Sequence, residues 1–187
     1  MKGTYLSLIT IGFFLLSFIN IHLALLGIFC ILGALLSLLI AGDKVWCKVW
    51  CPRIQLYKVV KGKSRGLKAP RFFTTGDMKW ILLGYFLSAL LLITFSTSLV
   101  AMGRIQPMLY PRFLVVVPIP LELPQLLPVE NLPSWISHLS YRIFSMMSTT
   151  TLLGLLVTLI WKPRTWCLIC PIGTLSDEYL TQKKKDE

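Results

Sequence analysis

Carboxylates are scarce in this chain. Eight Asp and Glu stand against 19 Lys and Arg, leaving a formal net charge of +11 over 187 residues. In a soluble protein such an excess would point to nucleic acid, but here the basic residues border apolar segments and are not interleaved with exposed aromatics, so nucleic acid is not an expected partner. They read as topology signals and as contacts to anionic membrane lipid. A P-loop, a dinucleotide glycine fingerprint and a nucleophile triad are also missing, so nothing supports kinase, nicotinamide or hydrolase chemistry. Five cysteines are too few for a disulfide-dense scaffold. Polarity itself is in short supply: 55% of residues are hydrophobic and the mean hydropathy is +0.71, which excludes an ordinary soluble core and describes a multi-pass membrane protein.

Residues 5–41 are almost continuously apolar, with Asn20-Ile21-His22 as the one polar interruption. A single helix of that length would far exceed a hydrocarbon core of about 30 Å. We therefore expect a tight hairpin there, between helices over 4–19 and 22–41. The first, preceded by Lys2, resembles a signal peptide, but no small-residue cleavage site follows it, and its retention is expected. Residues 80–101 predict a third helix and 143–161 a fourth, with Trp80, Trp161 and Lys162 marking the membrane interfaces. The expected fold is an all-α integral membrane protein with four transmembrane helices.

Lys44, Lys48, Arg53, Lys58, Lys61, Lys63, Arg65, Lys68 and Arg71 lie between Asp43 and Asp77, whereas residues 102–142 hold only Arg104, Arg112 and Arg142 as cations. By the positive-inside rule both termini and the first loop are cytoplasmic, in the inner (cytoplasmic) membrane of the cell. The outer loop carries Pro107, Pro111, Pro118, Pro120, Pro124, Pro128 and Pro133, a density that forbids a spanning helix. Its segment from Phe113 to Leu127 is mostly apolar and suits either the membrane interface or a docking patch for a partner subunit. Gln182 to Glu187 form a charged tail expected to fray.

Two tryptophan-cysteine motifs then stand out, Trp46-Cys47-Lys48-Val49-Trp50-Cys51-Pro52 and Trp166-Cys167-Leu168-Ile169-Cys170-Pro171, each just after an apolar run. Each half of the chain thus reads helix, outer turn or loop, helix, cysteine pair. This predicts two parallel two-helix repeats, residues 1–76 and 77–187, whose pseudo-two-fold axis along the membrane normal would bring the cysteine pairs together. Four thiols match the ligand count of one [4Fe-4S] cluster per chain, held by Cys47, Cys51, Cys167 and Cys170. Pro52 and Pro171 suit the first turn of helices whose N-terminal amides would face an anionic cluster. Lys44, Lys48, Arg53, Lys162 and Arg164 could add charge there or serve topology alone. Trp46, Trp50 and Trp166 could shield the thiols or simply anchor the interface.

Other chemistry fits some of the same residues. Paired cysteines also bind structural zinc, and soft thiolates take copper(I). Cys167-Leu168-Ile169-Cys170 is a C-x-x-C, so a thiol-disulfide oxidoreductase passing electrons to a quinone is a further reading, although a cytoplasmic location argues against it. Cys30, alone in an apolar run, reads as a small core hydrophobe. His22 and His138 fall on the predicted outer side, where we read them as interface residues in preference to haem ligands.

The cysteine motifs and helix pattern together resemble the membrane iron-sulfur proteins of the NapH and NosR type, whose hallmark is four or more spans with two cytoplasmic C-x3-C-P motifs. Cys47, Cys51 and Pro52 fit that pattern; Cys167, Cys170 and Pro171 have two residues between the cysteines where the family has three. The stretch from Trp166 to Leu175 still looks like the W-C-x-x-C-P-x-G segment of the family's 4Fe-4S-binding domain. Relatives commonly carry a further cytoplasmic ferredoxin domain, which this sequence is expected to lack, so a partner redox protein or ferredoxin-like subunit would supply that wire. The resemblance implies a redox subunit of a larger oxidoreductase system, relaying electrons between the quinone pool or a cytoplasmic donor and a partner, with a quinone as a second candidate cofactor. The alternatives are a membrane assembly or anchor subunit with structural zinc or no metal, and the thiol-disulfide oxidoreductase.

Overall fold

The computed structural model describes residues 2–61, 67–74, 76–114, 117–119 and 132–186. Helices dominate: α1 (Lys2–Ile19), a 3-10 turn (Ile21–Leu25), α2 (Leu26–Ala41), a π-type turn (Trp46–Trp50), α3 (Pro52–Lys61), α4 (Arg71–Thr74), α5 (Asp77–Ala101), α6 (Ser134–Ile160), α7 (Thr165–Ile169) and α8 (Pro171–Asp186). One short antiparallel pairing joins β1 (Arg112–Phe113) to β2 (Val117–Pro118).

The breaks follow local chemistry. Asn20 stops the first apolar run as expected: its side-chain oxygen accepts the His22 backbone N–H at 2.9 Å and caps the 3-10 turn. α5 ends where Gly103 takes φ +73, with Gly103 N–H donating to Val100 O and Arg104 N–H to Leu99 O, each at 3.0 Å. That paired pattern satisfies the last carbonyls and needs a residue without a Cβ.

The structure departs from the expectations at several points. The helices Ile21–Ala41, Asp77–Ala101 and Ser134–Ile160 are long and apolar enough to cross a membrane, three where four were expected. The fourth apolar helix, Tyr5–Ile19 within α1, is shorter. Two two-helix repeats are not clear in this arrangement. Second, α6 begins at Ser134 and not at residue 143, because Ser137, His138 and Ser140, which look loop-like, find partners from within the helix. Third, α8 continues through the expected fraying tail to Asp186. Lys183, Lys184 and Lys185 occupy its last turn, where cations complement the helix dipole. Lys63, Arg65, residues 115–116 and 120–127 of the apolar loop segment, Pro128 and Glu187 lie outside the described residues.

The chain divides into two compact units, residues 1–10, 31–87 and 153–187 in one and residues 11–30 and 88–152 in the other. Each unit draws on both halves of the sequence. In the second unit, Ile21, Ala24, Met108, Tyr141 and Phe144 form a buried cluster, with Phe13 and Phe14 against it. There residues 108–114 run along α6 as an extended strap. Met108 N–H donates to His138 Nδ1 at 3.1 Å, Arg112 N–H to Ser145 Oγ at 2.9 Å and Leu114 N–H to Thr149 Oγ1 at 3.2 Å. Positions 138, 145 and 149 share one helix face, so polar side chains take the place of a sheet neighbour.

In the first unit, Ile54, Tyr57, Trp166 and Ile169 form the buried cluster, joined by Leu153, Leu155 and Val157 of α6. Lys61 at the end of α3 donates to the Leu159 carbonyl at 2.6 Å and so caps the C-terminus of α6. Tyr57 is fully buried, and a Cβ at Gly154 would collide with its hydroxyl and ring. The helix surfaces themselves are apolar and open: Phe29, Leu39, Ile40, Leu91 and Phe95 are all more than half exposed, as a lipid-facing surface requires.

Candidate metal centre

Both cysteine motifs are built alike. Each consists of one short helical turn, a final cysteine in extended conformation, and a proline that starts the next helix. Cys51 has φ −65 and ψ 111 before α3, and Cys170 has φ −62 and ψ 127 before α8. Proline excludes its predecessor from helical geometry and is itself well suited to a first helical position. The two motifs differ by one residue between the cysteines, and the backbone absorbs it. Cys51 N–H reaches back five residues to Trp46 O at 2.8 Å and closes a π-type turn, whereas the turn before Cys170, Thr165–Ile169, is α-helical. An inserted residue taken up as a π-type turn is common at functional sites.

Cys51, Cys167 and Cys170 all pack against the cluster of Ile54, Tyr57, Trp166 and Ile169. Cys47, at the start of the first turn, lies within electrostatic reach of Cys170 and Cys51. All four thiols are half-buried and free. The Lys44–Asp177 ion pair ties the approach to the first motif to α8, which carries the second.

Burial pushes the Cys47 thiol up to about 11, with the neighbouring Cys170 and Cys51 adding to the effect and Lys44 opposing it. Burial likewise raises Cys167 to about 12, reinforced by Cys170, Cys51 and Cys47 and opposed by Arg164. Cys170 is raised by burial too, against hydrogen bonds from the Gly173 and Ile172 amides and the charge of Arg53. Without bound cation these thiols stay protonated, so any metal must displace their protons. Three of the five basic residues singled out in the sequence therefore act on the thiols: Lys44, Arg53 and Arg164. Lys48 instead pairs with Asp43 at 2.8 Å.

The tryptophans separate by environment. Trp166 is buried in the cluster, Trp50 is exposed, and Trp46 lies over Gly33 of α2, where a Cβ would meet its ring at 2.9 Å. Tyr57, Gly33, Gly154 and Gly173 were not foreseen as site residues, although Gly173 is the glycine of the C-P-x-G stretch. A Cβ at Gly173 would meet Cys167 O at 3.0 Å. Among the described residues, no group of three or more His, Cys, Asp or Glu side chains is gathered so as to hold a metal ion.

Residues 23–68 and 144–185 match the model of a family described as 4Fe-4S binding domain. The chain is thus similar to an iron-sulfur domain family. The two matched stretches take in both cysteine pairs, α3 and nearly all of α8, and leave out α1 and α5. No curated protein and no solved structure matches the chain.

His22 lies in the turn where the hairpin was expected, whereas His138 lies inside a helix that was expected to begin at residue 143. His22 sits in the 3-10 turn, its ring nitrogens bonded to Asn20 Oδ1 at 2.8 Å and Ser137 Oγ at 3.0 Å. His138 is inside α6 and buried, with Met108 N–H on Nδ1 and Ser96 Oγ 3.1 Å from Nε2. Both rings are engaged in structural bonds, which haem ligation would have to break. Cys30 lies half-buried in α2, apart from the site.

Proposed function

We propose that this chain is a membrane electron-transfer subunit whose Cys47, Cys51, Cys167 and Cys170 hold one [4Fe-4S] cluster. The observation that carries the reading is that Cys51, Cys167 and Cys170, from two remote motifs, pack on one buried cluster around Tyr57 and Trp166, with Cys47 in electrostatic reach of Cys51 and Cys170. The donor set fits such a group. Four thiols match its ligand count, amides of the α8 first turn already bond Cys170, and Lys44, Arg53 and Arg164 lie close enough to favour thiolate. A single zinc ion would need its thiolates about 3.8 Å apart, from Zn–S bonds of about 2.3 Å in a tetrahedron. Among the described residues the cysteines are not gathered as a metal ion would require, so either group would have to draw them together, and the family match favours the cluster.

When bound, the cluster would take up and release electrons one at a time. The residues of the chain hold its surroundings dry and fixed: Tyr57, Trp166 and Ile169 exclude water, and Pro52 and Pro171 orient the final cysteines. In this reading α1 joins the three longer helices as a fourth span, both termini and the cysteine pairs are cytoplasmic, and the four spans form two parallel repeats in the inner membrane. Electrons pass between a quinone or a cytoplasmic donor and a partner redox protein. The spread of basic residues supports the orientation, and the family match over both motifs supports the chemistry.

The test is iron and acid-labile sulfide analysis with optical and EPR spectra on anaerobically purified protein. About four iron and four sulfide per chain are expected, lost or spectrally altered in each of C47S, C51S, C167S and C170S. Zinc or no metal, with a partner complex that survives loss of the thiols, would replace the reading with an assembly subunit. Cysteine pairs trapped oxidised in cells would replace it with thiol-disulfide exchange.

A further inference from the structure

Thr174 carries a buried hydroxyl that the chain itself leaves idle. The residue is 3% exposed, at the end of the first turn of α8, and its Oγ1 has no hydrogen-bond partner among the described residues. Burying a polar group without a partner is unfavourable, so the few that a native fold keeps need an explanation.

A helical serine or threonine has a ready remedy, a bond to the carbonyl four residues back. Ser140, Ser145, Thr158 and Ser176 take it, at 2.8, 2.6, 2.7 and 2.7 Å. Thr174 does not, although the carbonyl concerned, that of Cys170, is in place and accepts the Thr174 backbone N–H at 2.9 Å.

Cys170 stands immediately before α8 in extended conformation, and its thiol is bonded by the amides of Ile172 and Gly173. Residues four apart share one helix face, and side chains lean toward the helix N-terminus, so the residue at 174 covers the turn that Cys170 opens. That turn is pressed against both cysteines of the second motif: a Cβ at Gly173 would meet Cys167 O at 3.0 Å and Cys170 Cβ at 3.7 Å. A protonated thiol there is only a weak acceptor. Cluster binding replaces it with thiolate and brings sulfide, both anionic, so strong acceptors reach this end of α8 with the cluster.

We propose that the Thr174 hydroxyl donates a hydrogen bond to a sulfur of the cluster, thiolate or sulfide, at the Cys170 corner, and raises its reduction potential. The proposal rests on the electron-transfer reading. A donor to sulfur favours the reduced, more negative cluster over the oxidised one, and such bonds are among the factors that set the potential. Thr174 tunes the centre and holds none of its iron.

The test compares the full chain with T174V and T174S, each purified anaerobically. Iron and sulfide are counted, the midpoint potential is taken by EPR-monitored redox titration, and the unfolding midpoint is measured on the metal-free chain. T174V should keep its cluster and move to lower potential, with the oxidised-to-reduced ratio at a fixed potential raised roughly threefold to tenfold, the net contribution of one hydrogen bond. T174S, which keeps the hydroxyl, should stay close to the parent chain. T174A, smaller than T174V, gives the same readout should the valine variant load poorly. Metal-free T174V should be at least as stable as the parent, because it loses a polar group that had no partner. An unchanged potential with iron content intact would overturn the proposal and leave the electron-transfer reading standing. So would a destabilised metal-free T174V, whose hydroxyl would then serve the fold or a buried water. A parent chain without iron and sulfide would overturn both.

Discussion

The backbone N–H of Met108 donates to Nδ1 of His138 across 3.1 Å, between the extended strap and the buried face of α6. An acceptor at Nδ1 places the ring proton on Nε2, from which it can donate to Ser96 Oγ at 3.1 Å. One neutral imidazole thereby joins α5, α6 and the strap. The strap stays bound to α6 because the amides of Met108, Arg112 and Leu114 find side-chain acceptors on one face of that helix.

His138→Ala should leave a buried amide without an acceptor and lower stability by about 1–3 kcal/mol. His138→Asn, whose carbonyl oxygen can stand near the position of Nδ1, should cost less. Thermal unfolding in detergent ranks the two, and equal losses would show that the Met108 bond is not the main term.

Gly154→Ala should destabilise the first unit by about 1–3 kcal/mol, the usual cost of overpacking, because the new methyl group meets the Tyr57 hydroxyl and ring. Tyr57→Leu in the same chain should recover part of that loss. A double-mutant cycle in the unfolding midpoint tests the coupling, and strict additivity would deny the contact.

Gly173→Ala sets two effects against each other. Alanine favours a helix by about 1 kcal/mol over glycine, but its Cβ meets Cys167 O at 3.0 Å. That oxygen cannot retreat without moving the cysteine between Trp166 and Leu168. Iron retention should therefore fall even where the unfolding midpoint holds, and unchanged retention would show that the carbonyl has room to move.

Tyr57 supplies a pH dependence. Burial holds its phenol well above the ordinary 10.0. A group raised on folding contributes stability that is complete below the unfolded value and is lost as pH climbs through the folded one. Stability should hold to about pH 10 and decline above it, with one tyrosinate absorbance step delayed until unfolding. Tyr57→Phe should flatten that part of the decline; an unchanged slope would assign it to other groups.

The sequence by itself determined a great deal here. Long apolar runs must be helices because a bilayer leaves no water to satisfy a backbone amide, and α2, α5 and α6 follow them. Asn20 breaks the first run, and Pro52 and Pro171 open α3 and α8, because capping and proline geometry act over a few residues. The same local logic singled out Cys47, Cys51, Cys167 and Cys170 as candidate ligands. Tertiary structure decided the rest. Ser137, His138 and Ser140 carry loop-like side chains, and only their bonds to His22, to the strap and to the α6 backbone reveal that they are helical and packed inward. The unequal cysteine spacing looked like a departure until a wide turn at Trp46–Trp50 absorbed the extra residue. Tyr57 against Gly154, Trp46 against Gly33, and Lys44 against Asp177 join positions far apart in the chain. Periodicity and spacing report what a residue does within its own helix, whereas the surroundings of a thiol or an arginine are set by which other helices press against it.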